Sequence, residues 1–209
     1  MNLKQVEFDT IERYNKRFIE FGINPKTLGW SDSETQLIRF DTLTKYLDLN
    51  NKSILDIGCG FGDLLHYLDN RIKILSYTGI DINKLFIDIC NDRYDDKRFN
   101  FKTANILTDI LDLKADISVA FGLLNYKIDD NLEYVEKFIE RAWDLTNENL
   151  ILDFLSSMIN PNYPIESNVF YYNICDILDI CFQFTNNLIM IHNYEPIPQK
   201  EFMVILNKK

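Results

Sequence analysis

Residues 54–62 read Ile54-Leu55-Asp56-Ile57-Gly58-Cys59-Gly60-Phe61-Gly62. Ser53 to Ile57 is short and mostly apolar, as a buried strand would be. Three of the chain's seven glycines, Gly58, Gly60 and Gly62, then fall within five residues. Glycine there lets the backbone turn tightly and come close to a ligand. A helical pattern follows and runs to about Leu68. The start of such a helix offers unpaired N–H groups and a partial positive charge. In an open α/β sheet this turn lies at the carboxyl end of the strands, where ligands bind.

The pattern on both sides extends this reading. Upstream, Ile11, Tyr14, Phe18 and Phe21 have helical spacing, which predicts an amphipathic helix over Phe8 to Phe21 with a stop at Gly22. Ser31 or Asp32 caps a second helix, with Leu37, Phe40, Leu43 and Leu47 on its inner face. Downstream, strands are predicted at Leu75–Ile80, Phe99–Lys102, Ala115–Phe121 and Leu150–Leu155. Helices are predicted at Lys84–Tyr94, with Leu85, Ile89 and Cys90 inward, and at Leu132–Leu145. Strands alternating with helices imply a parallel, doubly wound α/β sheet. Tyr172–Cys181 reads as a helix. Leu188–Tyr194 and Glu201–Leu206 read as strands joined by Glu195-Pro196-Ile197-Pro198-Gln199. A connection that short makes them an antiparallel pair at the end of the sheet.

Composition narrows the class. The chain has 209 residues, 46% of them hydrophobic and 26% charged, which fits a globular domain with a sizeable core and excludes bulk disorder. Lys and Arg number 22 against 32 Asp and Glu, giving a net charge of −10 and an isoelectric point near 4.7. Phosphate backbones and anionic membranes need compensating cations, so nucleic acid and membrane surfaces are disfavoured partners. Met1 to Phe18 has no apolar segment of a signal peptide. The apolar runs near Leu188–Ile191 and Phe202–Leu206 are too short to span a bilayer. Four scattered cysteines without a CxxC pair, and two histidines, assemble no zinc pattern. They read as reduced thiols of a cytoplasmic protein, and no metal is expected.

The glycine spacing selects the ligand. A dinucleotide fingerprint would place its third glycine at position 63, which is Asp63, and no Gly-Lys-Ser/Thr follows to make a phosphate loop. Asp56 and Asp63 flank the turn instead. Two carboxylates there repel a pyrophosphate and suit a cation carrying an ammonium and a sulfonium. Asp81 ends Tyr77-Thr78-Gly79-Ile80-Asp81-Ile82, about twenty residues after the first glycines, where an acid can accept from both ribose hydroxyls.

On these residues the chain resembles the class I S-adenosylmethionine-dependent methyltransferases. Ile54 to Gly62 is similar to their first motif and Gly79-Ile80-Asp81-Ile82 to their second. Thr103-Ala104-Asn105-Ile106 falls where the family places a polar residue on adenine, more often Asp than Asn. Asp116 to Asn125 resembles the fourth motif, at the methyl-transfer position. The resemblance implies a Rossmann-like, seven-stranded, mostly parallel sheet with an antiparallel C-terminal strand and N-terminal lid helices. It implies S-adenosylmethionine as cofactor and S-adenosylhomocysteine as product. Asp56, Gly58, Cys59, Gly60 and Gly62 would shape the methionine end. Asp81 would hold ribose, Ile82, Asn105 and Ile106 adenine, and Phe121 the methyl-transfer position.

The chain is read as one domain: a helical lid over 1–50, a cofactor-binding core over 51–155, and an acceptor-side insertion with the strand pair over 156–209. His192, Tyr14 and Tyr172 are the candidate catalytic residues on the acceptor side. His192 reads also, and somewhat better, as a hydrogen-bonded structural histidine, and His66 as solvent-facing. Tyr14, Phe18, Phe21, Trp30, Tyr163, Phe170, Tyr171 and Tyr172 together suit a lid over a small acceptor. Arg13, Lys16 and Arg17 are the dense basic group near it, for an acid of the acceptor or as a solvated helix face. Asn160-Pro161-Asn162-Tyr163 reads as a turn, since it follows the fifth strand and not the fourth. The expected reaction is methyl transfer to nitrogen or oxygen of a small molecule, by a monomer or homodimer. The alternatives are a protein or RNA acceptor, and a non-catalytic S-adenosylmethionine-binding partner subunit.

Overall fold

The computed structural model of the chain describes residues 2–69, 71–159, 165–194 and 200–208. One sheet contains β1 (Ser53–Ile57), β2 (Ser76–Asp81), β3 (Phe99–Thr103), β4 (Ala115–Ala120), β5 (Thr146–Leu155), β6 (Leu188–Ile191) and β7 (Glu201–Asn207). Their order is β3-β2-β1-β4-β5-β7-β6. β1 to β5 pair in parallel, and β7 runs antiparallel to both β5 and β6. The antiparallel strand therefore sits one place inside the edge, and β6 closes the sheet.

Among the described residues, six α-helices accompany the strands: α1 (Leu3–Phe21), α2 (Ser33–Tyr46), α3 (Asp63–Asp69), α4 (Lys84–Arg93), α5 (Asn131–Asp144) and α6 (Ile174–Cys181). Side chains alternate across the sheet. Leu150, Leu152 and Phe154 of β5 join Phe202, Val204 and Leu206 of β7 in a core with α5 and α6. Ile54, Ile151, Met203 and Ile205 face the other way, onto α2, α3 and α4. Both faces are covered, which is why the central strands read as nearly continuous apolar runs. Asp56 in β1 and Asp153 in β5 interrupt those runs, and both are buried.

Helix boundaries follow their caps. Asn2 accepts from the N–H of Gln5, so α1 begins at Leu3 and not near Phe8. Asp32 caps α2 by accepting from the N–H of Thr35 at 2.8 Å. The inward face of α2 is Gln36, Arg39, Phe40 and Leu43, while Leu37 is exposed. In α4 the buried residues are Phe86, Ile87 and Cys90; Leu85 is exposed and Ile89 half-buried. In both helices the apolar stripe lies one residue away from part of the expected one, because tertiary packing chose between two overlapping periodic faces. The sixth strand stops at Ile191, and the last helix starts at Ile174 behind its cap Asn173. The expected turn Asn160-Pro161-Asn162-Tyr163 and the connection Glu195-Pro196-Ile197-Pro198-Gln199 lie outside the described residues. Among those described, no helix is long and apolar enough to cross a membrane.

Candidate active site

The glycine turn is held against the neighbouring strand. The N–H groups of Gly58 and Cys59 both donate to the carbonyl of Ile80, at 2.7 and 3.1 Å. The N–H of Gly60 donates to Oδ2 of Asp81 at 3.0 Å. Gly58 and Gly60 have φ of 76° and 54°, which side chains rarely adopt. A Cβ on Gly58 would stand 2.5 Å from Leu123, and one on Gly60 2.8 Å from Leu28. The absent side chains leave a cradle at the carboxyl edge of the sheet.

A cavity opens on that cradle. Asp56, Gly58, Cys59 and Gly60 line it beside Asp81 and Ile82, and Asn105, Ile106 and Phe121 complete the far wall. Gly62 does not reach it: its Cα faces Tyr94, Cys90 and Phe101, and its φ of 73° turns the chain into α3.

Two acids of this cavity, Asp81 and Asp56, are poised near neutrality. Burial pushes the Asp81 carboxyl up to about 6, against the backbone donors of Asn83 and Gly60. Burial pushes Asp56 up to about 7, against the Tyr77 hydroxyl that donates to it; the charges of Asp81 and Asp63 add to the rise. Burial also holds the Cys59 thiol well above its ordinary value, so it is no thiolate nucleophile. Asp63, at the start of α3, accepts from the Gln36 amide at 3.1 Å.

Helix α1 crosses the cavity with none of its residues fully buried. Asn15 accepts from the Asn83 amide, and Glu7 from the Asn105 amide, each at 2.9 Å. Phe18 packs on Phe61 and Phe86. Asn105 also accepts from the N–H of Leu107, so one acceptor direction of its oxygen is left for a ligand. Glu7 lines the same cavity and had no signal in the sequence.

A second cavity shares a wall with the first. Arg13, Tyr14, Leu28, Trp30, Gly122 and Tyr126 line both. Behind the wall lies a buried ion cluster. Arg39 of α2 is 3.3 Å from Asp153 and pairs with Glu201 at the start of β7; all three are 1–2% exposed. The Arg39 guanidinium lies 4.2 Å from the Trp30 ring centre. Asp153 also accepts from the N–H of Gly122 at 2.7 Å. Burial raises the pKa of both carboxyls against the pull of Arg39, that of Glu201 to about 7. Glu201 lines the second cavity, and its Oε2 has no hydrogen-bond partner among the described residues. The signal for this cluster was one cation in the inward stripe of α2 and one acid inside the apolar run of β5.

Of the three acceptor-side candidates, the structure brings only Tyr14 to the cavities. Tyr172 is buried under Phe154 and Phe170, and its hydroxyl donates to the Leu124 carbonyl at 2.6 Å and accepts from Asn131. It is a core residue, since its ring is worth more buried and its hydroxyl is satisfied there. His192 follows β6 and sits edge-on to Phe202, lining neither cavity. Burial, with the charge of Lys200, lowers its pKa. The strand ends at Ile191, so His192 lies just beyond the sheet. His66 is exposed. Tyr163 lies outside the described residues, among which no group of His, Cys, Asp and Glu could hold a metal ion.

A family model for a methyltransferase domain matches residues 55–149. The chain is 27% identical over 161 residues to a Mycobacterium tuberculosis protein named as a methyltransferase, covering 75% of this chain and 93% of that one. Two further curated relatives are 31% identical, and the matches span 31% and 48% of their lengths. Among solved structures, magnesium protoporphyrin IX methyltransferase from Synechocystis PCC 6803 with bound S-adenosylhomocysteine superposes with a TM-score of 0.67. It is 15% identical and covers 96% of this chain and 95% of that one. The methyltransferase domain of a bacterial Hen1 protein also gives 0.67, at 16% identity, covering 83% of this chain and 99% of that one. At such identities these two share the fold.

Proposed function

We propose that this chain, a class I S-adenosylmethionine-dependent methyltransferase, methylates a nitrogen or oxygen of a small molecule held in the second cavity. The sharing of a wall by the two cavities carries this reading: a ligand in one meets a ligand in the other beside Trp30 and Gly122.

The residues of the first cavity fit S-adenosylmethionine. At Gly58 and Gly60 a Cβ would strike Leu123 and Leu28, so only glycine keeps this turn close to the cavity, and the acids there suit a cation. In this reading Asp81 holds the ribose hydroxyls. Asp56 and Asp63 attract the ammonium, Ile82 and Ile106 sandwich the adenine, and Phe121 borders the transferred methyl. The bound sulfonium supplies the methyl group already activated. What is left to the protein is alignment and exclusion of water. Glu201 is the group proposed to take the acceptor's proton. It lines the second cavity, its Oε2 has no hydrogen-bond partner among the described residues, and burial brings its pKa near neutrality, as a general base requires.

A small acceptor agrees with the walls of the second cavity, where Phe21, Trp30 and Tyr126 surround polar groups. The net charge of −10 weighs against RNA. The test is calorimetric titration with S-adenosylhomocysteine, followed by transfer of labelled methyl to pooled phenols, amines and hydroxy acids. Binding with turnover of one pool supports the reading. Binding with turnover only of RNA or protein overturns the small acceptor. Absence of binding overturns the cofactor assignment.

A further inference from the structure

We infer that the acceptor is an acid, a flat apolar molecule carrying one carboxylate or phosphate that Arg13 holds; this rests on the acceptor reading of the second cavity. Four cations line that cavity, Arg13, Arg17, Lys26 and Arg39, against the acids Glu166 and Glu201. That local excess is opposite in sign to the chain's net charge of −10.

The arginines differ in how they are satisfied. Arg39 is neutralised by Asp153 and Glu201. Arg17 donates to the carbonyls of Lys26 and Thr27, which fixes α1 to the following loop. Arg13 has neither an ion pair nor a hydrogen bond among the described residues. It is half-buried, and its guanidinium lies 4.4 Å from the ring centre of Tyr126 and 6.0 Å from that of Tyr14. A guanidinium stacked on an aromatic face keeps the donors of its edge free, in the fork that matches a carboxylate or phosphate. Partly desolvated and without a counter-charge, it lacks the partner such a group normally has.

Two ligands can bring that anion to the shared wall, the acceptor or the methionine carboxylate of the cofactor. Arg17 and Lys26 lie on the acceptor side only, whereas Asp56 and Asp63 lie on the cofactor side only. The field therefore places the anion with the acceptor. Tyr14, Trp30 and Tyr126 supply flat walls for the rest of the molecule.

The test uses the full chain saturated with S-adenosylhomocysteine and three probes of one shape: benzoate, phenyl phosphate and benzamide. Calorimetry is expected to show either acid binding at least about ten-fold tighter than the neutral amide, the worth of one charge-assisted pair. Arg13→Gln is expected to remove that preference while leaving S-adenosylhomocysteine affinity within about two-fold, and Arg13→Lys to keep part of it. Melting curves of both variants report their folding. Equal binding of benzoate and benzamide, or no binding of the acids, overturns the inference. So does an Arg13→Gln variant that loses affinity for S-adenosylhomocysteine and keeps the preference for acids, since Arg13 would then hold the cofactor's carboxylate. Failure of the wild-type protein to bind S-adenosylhomocysteine instead overturns the underlying cofactor reading.

Discussion

The N–H of Gly60 donates to Oδ2 of Asp81 across 3.0 Å, tying the turn after β1 to the acid that ends β2. The other oxygen of Asp81 accepts from the N–H of Asn83 at 2.8 Å. Both oxygens keep a further acceptor direction toward the cavity. Asp81→Ala should therefore weaken S-adenosylhomocysteine binding by about ten- to a hundred-fold, the worth of one or two hydrogen bonds to a charged group. Asp81→Asn should cost less, because an amide still accepts one hydroxyl. Calorimetry reads both, and unchanged affinity in the alanine variant would remove Asp81 from the site.

Asp81 and Asp56 titrate near 6 and 7 because they are buried. The ligand's ammonium favours ionised Asp56, and its ribose hydroxyls donate better to ionised Asp81, so binding at low pH must expel protons. Affinity for S-adenosylhomocysteine should fall between pH 7.5 and pH 5.5, by up to about ten-fold per pH unit for each proton released. Asp56→Asn should flatten the slope. A pH-independent affinity would show that these carboxyls do not face the ligand.

Stability of the ligand-free protein should run the other way. Asp56, Asp81 and Glu201 have folded pKa values above the unfolded value of about 4. Their contribution is fully present below that value and is lost as pH rises through about 6 to 7. The melting temperature should be higher at pH 5.5 than at pH 8. The carboxyls held low, such as Asp116, titrate below this window.

Arg39 is 1% exposed between Asp153 and Glu201. Arg39→Met leaves two buried carboxyls without a cation and should destabilise the fold by about 3–5 kcal/mol. Adding Glu201→Gln should recover part of the loss, because one uncompensated charge is then gone. Denaturant melts of the single and double variants check this. A single variant as stable as the wild type would mean the cluster is neutral already.

Gly122 has φ of 68°, and a Cβ there would stand 2.4 Å from Trp30. Gly122→Ala must displace the indole from Arg39 and open the wall between the cavities. The expected result is a loss of roughly 1–3 kcal/mol and a red shift of tryptophan emission. An unshifted spectrum would show that Trp30 does not rest on this glycine.

The alternation of strands and helices that makes β1 to β5 parallel, the glycine turn and the acid at Asp81 could all be read along the chain, because each shows in a local pattern. Strand and helix periods, caps and φ-positive turns are local properties of the backbone. Tyr172 and His192 were placed less well, since a tyrosine or histidine in a pattern carries no sign of which way the fold turns it. The Arg39–Glu201 pair joins residues 162 positions apart. Such a pair has no periodic signature; only the packing of α2 against the β5–β7 pair brings it together. That Arg13 has no ion pair among the described residues is likewise a tertiary fact, set by α1 lying across Tyr126. Local spacing determined which ligand the first cavity is shaped for. Long-range packing decided which charges border the second, because a charge's partners are chosen by proximity in space and not by order in the chain.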